Sequence, residues 1–136
     1  MRNKKKKALT GELYIVPYRY DLILMRANTF EELKEVWDKA PLDKEEQEKD
    51  ISRYEELFNT SKAFVTEYDS DNKYYLVYVC KLGRGEDPGS VAHEAYHIMN
   101  RIYEHVGYTP DVKKDVASAY FLDYLVTNIT NFLNED

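Results

Sequence analysis

Four short segments of the chain carry the hydrophobic pattern of β-strands. They run from Glu12 to Val16, from Tyr20 to Arg26, from Lys62 to Tyr68 and from Lys73 to Leu82. The fourth segment is apolar on both faces, which predicts a strand covered on both sides. Turn-forming residues separate the third and fourth segments, so we expect these two strands to form a hairpin.

Four longer segments have the hydrophobic spacing or the capping residues of helices. The chain up to Leu82 is mixed and contains all four strand patterns, whereas the chain after it is helical in pattern. We therefore predict an α+β fold, in which a small mixed sheet packs against the third helix and a C-terminal helix follows. In chain order the four segments run from the Thr29 cap to the residues before Pro41, from Asp43 to Asn59, from Asp87 or Ser90 to Val106 with Gly107 as the stop, and from Thr109-Pro110 to about Leu133.

The length of 136 residues fits a single domain. We expect this domain to span residues 11–136, and residues 1–10 to form a flexible basic tail. That tail includes the run from Lys4 to Lys7. A solvated segment is the simpler interpretation of this run, and a weak contact with nucleic acid or a membrane surface is the alternative.

Composition narrows the class of protein. The formal net charge is −6, so the chain lacks the excess of basic residues that nucleic-acid-binding proteins place against phosphates. It contains no stretch of roughly 20 apolar residues that could span a membrane. A single cysteine, Cys80, suits a reducing compartment, so we expect a cytoplasmic protein. The 13 tyrosines suit a half-exposed sheet or a polar groove but identify no ligand.

The third predicted helix contains the sequence His93-Glu94-Ala95-Tyr96-His97, an H-E-x-x-H motif. Residues four apart lie on one helical face, so His93 and His97 can reach the same cation. Zinc binds neutral imidazole nitrogens and keeps one position for water in catalytic sites, and Glu94 can take a proton from that water as a general base. The alternative is a pair of surface histidines beside an exposed glutamate. The helix has a separate apolar stripe, which leaves both histidines free of the core: Val91, Ala95, Ile98 and Ile102.

The motif needs a third metal ligand, and the third predicted helix does not offer one. Asn100 and Tyr103 stand where the metzincin pattern has a glycine and a third histidine. His105 lies two turns beyond His97, too far along the axis of a continuous helix. A position near the C-terminus of the helix, where a cation suits the helix dipole, is the better interpretation of His105.

The favoured third ligand is Asp115, which lies 18 positions after His97 beside apolar residues of the last predicted helix. A carboxylate facing such a stripe is costly to bury unless it meets a positive charge, and zinc is such a charge. Asp111 and Asp123 are the alternatives, and stabilisation of a helix N-terminus explains Asp111 at least as well. Two tyrosines could polarise a substrate carbonyl, although packing explains both more simply: Tyr108 and Tyr120.

Because of this motif, the chain resembles the zincins. The spacing between the motif and the acidic candidate is similar to that of the gluzincin branch, in which an acidic ligand comes from a later helix. More narrowly, residues 93–125 resemble small phage-encoded zincin-like proteins of the gluzincin type, which are metallopeptidase-like. Asp115 departs from the glutamate that is common in gluzincins. The residues that carry the resemblance are His93 to His97, the closing Gly107, the acidic stretch from Asp111 to Asp115, and Ala119-Tyr120 followed by Tyr124-Leu125.

This resemblance implies a zincin-like fold and a zinc-dependent hydrolase, with a peptidase of restricted specificity as the expected activity. Zn²⁺ would be held by His93, His97 and Asp115, with Glu94 as the general base and a protein or peptide as the substrate. The alternative is a non-catalytic zincin-like scaffold, of phage or mobile-element origin, that binds a partner protein. A phage-encoded protein of either kind would act in the cytoplasm of the bacterial host.

Overall fold

The structure is a computed structural model that describes residues 6–70 and 73–136. Within these ranges no helix is long and apolar enough to cross a membrane. The described elements are, in chain order, β1 (Leu9–Ile15), β2 (Tyr20–Ala27), α1 (Phe30–Asp38), α2 (Lys44–Lys49), α3 (Ile51–Thr60), β3 (Ala63–Ser70), β4 (Lys73–Lys81), α4 (Pro88–Val106) and α5 (Val116–Asn134).

The strands form one mixed sheet in the order β1-β2-β4-β3. β1 and β2 are antiparallel, and so are β3 and β4, whereas β2 and β4 run parallel, with Leu24 opposite Tyr78. The hairpin predicted between the third and fourth segments is therefore present, although its turn residues Asp71 and Asn72 lie outside the described residues. β3 is an edge strand of the described sheet, because it pairs with β4 alone.

Helices cover both faces of this sheet. Leu76, Tyr78 and Cys80 of β4 pack into a core with α4 and α5, while Val77 and Val79 pack into a second core with α1 and α3. The prediction of an α+β fold with a small mixed sheet is confirmed, and so is the prediction that the fourth strand is covered on both sides.

Two helices differ from the predictions. The segment from Asp43 to Asn59 forms two helices, α2 and α3, because Asp50 leaves the helical conformation. The last helix begins at Val116 and not at Thr109-Pro110. Asp111 causes this delay, since its carbonyl oxygen accepts from the Lys114 N–H at 2.9 Å and its carboxylate accepts from the Lys113 N–H at 2.9 Å, which closes a turn in place of a helix.

The N-terminal boundary also needs correction, because β1 begins at Leu9, before the expected domain start at residue 11. The carbonyl oxygen of Lys7 accepts from Arg26 Nε at 2.9 Å, and that of Lys6 accepts from Asn28 Nδ2 at 3.0 Å. These bonds connect Lys6 and Lys7 to Arg26 of β2 and to Asn28 after it, and the flexibility of residues 1–10 stays a prediction. Lys4 and Lys5 lie outside the described residues.

Candidate metal centre

α4, which carries the H-E-x-x-H motif, has well-defined ends. Asp87 is its N-cap, where the carboxylate accepts from the Ser90 N–H at 3.0 Å and from the Ser90 hydroxyl at 2.7 Å. These two bonds hold the pKa of the Asp87 carboxyl below its usual range. Gly107 ends the helix with φ of 74°, a left-handed conformation that glycine adopts without strain. Both ends therefore agree with the sequence signals.

One side of α4 packs on the sheet and leaves the histidines on a flank. The predicted apolar stripe is buried, with each of its four members at most 1% exposed: Val91, Ala95, Ile98 and Ile102. His93 and His97 are exposed. Arg101, one turn after His97, pairs with Glu67 of β3 at 2.7 Å, so this flank of α4 lies beside the edge strand. The histidines consequently face a region bordered by α4 and β3.

The two imidazole rings converge. The Nε2 atoms of His93 and His97 are 3.1 Å apart, and the ring centroids are 4.7 Å apart at an interplanar angle of 78°. Two nitrogens bound to one tetrahedral zinc ion at 2.0–2.1 Å would be separated by about 3.3–3.4 Å. A separation of 3.1 Å corresponds to an N–metal–N angle of roughly 100°. The pair therefore fits two vertices of a tetrahedral site with little adjustment.

A hydrogen bond between the rings accounts for the same distance in the absence of a metal. One ring would then carry its proton on Nε2 and the other on Nδ1. Within the described residues, neither Nδ1 atom has a hydrogen-bond partner of the kind that orients the histidine ligands of many zinc enzymes. The orientation of the rings thus depends on α4 and on each other.

Glu94 lies next to the pair but is buried, with 8% of its surface exposed. Its Oε1 atom is 3.9 Å from His93 Nε2. Burial raises the pKa of the Glu94 carboxyl above its usual range, and the positive charges of His93 and Arg101 partly oppose this shift. A carboxylate with a raised pKa accepts a proton readily, which is the property that a general base requires.

The acidic candidates for a third ligand are not brought to the histidines. Among the described residues, no three histidine, cysteine or acidic side chains are grouped so that they could hold a metal ion. Asp115 is an exposed residue at the N-cap of α5, and Asp111 is engaged in its own turn. Asp123 is exposed and accepts only a long bond, 3.4 Å, from Thr127.

The position of α5 explains this arrangement. The Tyr103 hydroxyl lies 2.9 Å from the Ser118 hydroxyl, and the Tyr103 ring meets Phe121 edge-on at 5.7 Å between centroids. Tyr103 lies six positions after His97. At about 100° per residue their side chains point about 120° apart around α4, to different sides of the helix. α5 therefore packs on the flank of α4 away from His93 and His97.

Two cavities flank the motif, and Glu94 lines both. The larger, of about 450 Å³, is also lined by Lys62, Ser90 and His93. The smaller, of about 210 Å³, is lined by Phe64, Val65, His97 and Arg101 as well as Glu94. Sequence reasoning did not single out Lys62 or Arg101. The spacing of Arg101, four residues after His97, is a signal that could have found it, whereas the placement of Lys62 depends on the packing of β3 beside α4.

The other aromatic and histidine candidates lie elsewhere. His105, in the last turn of α4, contacts the Tyr20 hydroxyl and stacks on the Tyr74 ring at 4.5 Å between centroids. Tyr108 packs against Tyr103, and Tyr120 lies on the exposed surface of α5. The contact of Tyr108 agrees with its packing interpretation, whereas Tyr120 is 72% exposed and does not pack into the core. His105 lies near the C-terminus of the helix, as expected.

Comparison with protein-family models, curated proteins and solved structures finds no match to this chain.

Proposed function

We propose that this protein is a zinc-dependent peptidase of restricted specificity, in which His93 and His97 bind the metal and Glu94 is the general base. The observation that carries the proposal is the 3.1 Å separation of the two Nε2 atoms beside a buried glutamate. Two imidazoles with open coordination positions favour zinc over harder cations such as magnesium and calcium. When bound, zinc lowers the pKa of a water molecule to roughly 7 and polarises a carbonyl oxygen.

Glu94 has the proton-transfer role in this proposal. Its carboxylate accepts a proton as water attacks the scissile carbonyl carbon, and it then donates that proton to the nitrogen of the leaving amine. Burial supports the role, because the same desolvation that raises the pKa of the carboxyl also strengthens its attraction for the transferred proton.

The substrate in this proposal is an extended polypeptide. β3 is an edge strand beside the motif, and an edge strand offers backbone groups to a segment that adds to the sheet. The cavities on either side of Glu94 are of a size to take side chains that flank the cleaved bond. Both cavities contain charges of each sign, because Lys62 and Asp87 line the larger, Arg101 lines the smaller and Glu94 lines both, so polar side chains suit both positions.

The order of elements supports a place among zincin-like proteins. A motif helix, a closing glycine and a following helix occur here as they do in the small phage-encoded proteins that the sequence resembles. We propose on the same basis that the protein is phage-related and acts in the cytoplasm of a bacterial host, with a protein or peptide as its target.

A second candidate is a non-catalytic zincin-like scaffold that binds a partner protein. It is favoured by the absence of a third ligand beside the histidines, Asp115 included, within the described residues. The helical hairpin of α4 and α5 also presents exposed aromatic side chains that a partner could cover: Tyr96, Tyr108, Tyr120 and Tyr124.

Cleavage of a peptide library by zinc-loaded protein distinguishes the two candidates. We expect wild type to cleave a narrow set of sequences, and Glu94→Gln to abolish cleavage while leaving zinc bound. Glu104→Gln is the matched control, because Glu104 lies on the same helix, is exposed and lines neither of the two cavities beside the motif. Bound zinc with no cleavage that depends on Glu94 contradicts the peptidase and favours the scaffold.

A further inference from the structure

The described residues of one chain bring too few donors together for a complete metal site. Zinc in proteins is almost always four-coordinate, with four protein ligands in structural sites and three in catalytic ones. The described residues bring together two nitrogens, those of His93 and His97, and no third histidine, cysteine or carboxylate completes a group. A site completed by protein ligands therefore needs donors from outside the described part of this chain.

The histidines are accessible to another macromolecule. The His93 side chain is 67% exposed. Tyr96, between the two histidines in the sequence, is 54% exposed, and α5 covers the far flank of α4 and leaves this one open. A second protein surface can therefore approach the two Nε2 atoms without displacing any element of the fold.

A second copy of the same chain supplies the donors that are missing. Its own His93 and His97 provide two more nitrogens at the same 3.1 Å spacing, so a two-fold axis through the ion generates a complete set of four. Perpendicular placement of the two pairs gives the tetrahedral geometry that zinc prefers.

Charge favours the same arrangement. Each copy places the Glu94 carboxylate beside its histidines, with Oε1 3.9 Å from His93 Nε2. Two such carboxylates, one from each copy, offset the double positive charge of the ion.

We propose that a zinc ion bridges two copies of this protein through His93 and His97 of each. The proposal rests on the metal-binding part of the proposed function. In the bridged pair, four nitrogens would occupy all four coordination positions of the zinc and leave none for water. We therefore expect hydrolysis from the single chain and none from the bridged pair. The zinc bridge is the contact that we propose between the two copies, so removal of the metal separates the pair.

Light scattering after gel filtration, together with zinc titration, tests the bridge on untagged protein, since a polyhistidine tag would itself bind zinc. We expect the mass to rise from 16.1 kDa toward twice that value, to saturate at one zinc per two chains, and to return on addition of EDTA. His93→Ala and His97→Ala should stay at the mass of one chain. His105→Ala removes the remaining histidine of α4 and should still form the pair.

Two further results separate this inference from the proposed function. Zinc-edge X-ray absorption of the bridged form should show four nitrogen neighbours at about 2.0–2.1 Å. A mass of one chain with one zinc and Glu94-dependent cleavage overturns the bridge and leaves the peptidase standing. A doubled mass with no cleavage at any zinc concentration overturns the peptidase and leaves the bridge standing. A doubled mass that EDTA does not reverse also overturns the bridge.

Discussion

Gly85 lies where the loop before α4 passes closest to β3, and Gly85→Ala tests this packing. A Cβ atom at residue 85 would lie 2.3 Å from the carbonyl oxygen of Lys62 and 3.0 Å from Cys80 Sγ. Carbon and oxygen normally approach no closer than about 3.3 Å, so the two backbone segments must separate by about 1 Å. The close approach, and not a left-handed conformation, is what requires glycine here.

The cost follows from two contributions. Overpacking of this kind costs about 1–3 kcal/mol, and the upper part of that range applies because the obstructing atom belongs to the backbone. The Lys62 carbonyl also accepts from the Lys81 N–H at 3.0 Å, and loss of that bond adds about 1 kcal/mol. We expect Gly85→Ala to lower the free energy of unfolding by about 3–4 kcal/mol.

Urea unfolding measures this change, with the fluorescence of Trp37 as the signal. Trp37 is the single tryptophan and is buried in the core on the other face of the sheet, so it reports unfolding of the whole domain. Gly89→Ala is the matched control, because its Cβ meets only a side-chain atom, Asp87 Oδ2, at 3.3 Å. The control should change stability by less than about 1 kcal/mol. A Gly85→Ala protein within about 0.5 kcal/mol of wild type would refute the packing described for this loop.

Three further predictions concern Glu94, Cys80 and the pair formed by Glu67 and Arg101. Because burial raises the pKa of Glu94 in the folded state, its ionisation destabilises the metal-free fold as the pH rises above about 4.5. Glu94→Gln should therefore melt at a higher temperature than wild type at pH 7 in EDTA, with the difference shrinking toward pH 4; equal melting at both pH values contradicts this. Burial raises the pKa of Cys80 to about 11, so its alkylation by iodoacetamide at pH 8 should be at least about 100-fold slower in native than in urea-unfolded protein, and rapid native labelling contradicts this. A double-mutant cycle of Glu67→Gln and Arg101→Gln should give a coupling of about 0.2–1 kcal/mol, because both side chains are partly exposed; a coupling above about 2 kcal/mol would show that the pair is desolvated.

Features that depend on local periodicity could be predicted from the sequence. The stripe that includes Ala95 and Ile98 follows the 3.6-residue period of a helix, and it is the face of α4 that packs on the sheet. The same period places His93 and His97 on one side of α4, which allows their Nε2 atoms to converge. Gly107 likewise marks the end of α4 through its backbone preference.

Features that depend on competition between two local structures, or on tertiary packing, could not be predicted from the sequence. A proline in the first turn favours a helix from Thr109, but the turn closed by Asp111 satisfies the same backbone groups and delays the helix to Val116. Asp115 consequently occupies the N-cap position of α5, where it is exposed, and does not lie on the apolar stripe of that helix. The flank of α4 that α5 covers is decided by contacts such as that of Tyr103 with Ser118, which no local pattern encodes.

Zinc affinity, measured by competition with a chromophoric chelator, tests most directly whether His93 and His97 bind one ion together. We expect wild type to bind zinc and either His93→Ala or His97→Ala to weaken binding at least about 100-fold, because each variant removes half of the donor pair. His105→Ala should bind as wild type does. Equal zinc affinity in wild type and in both alanine variants would show that the two rings only share a hydrogen bond.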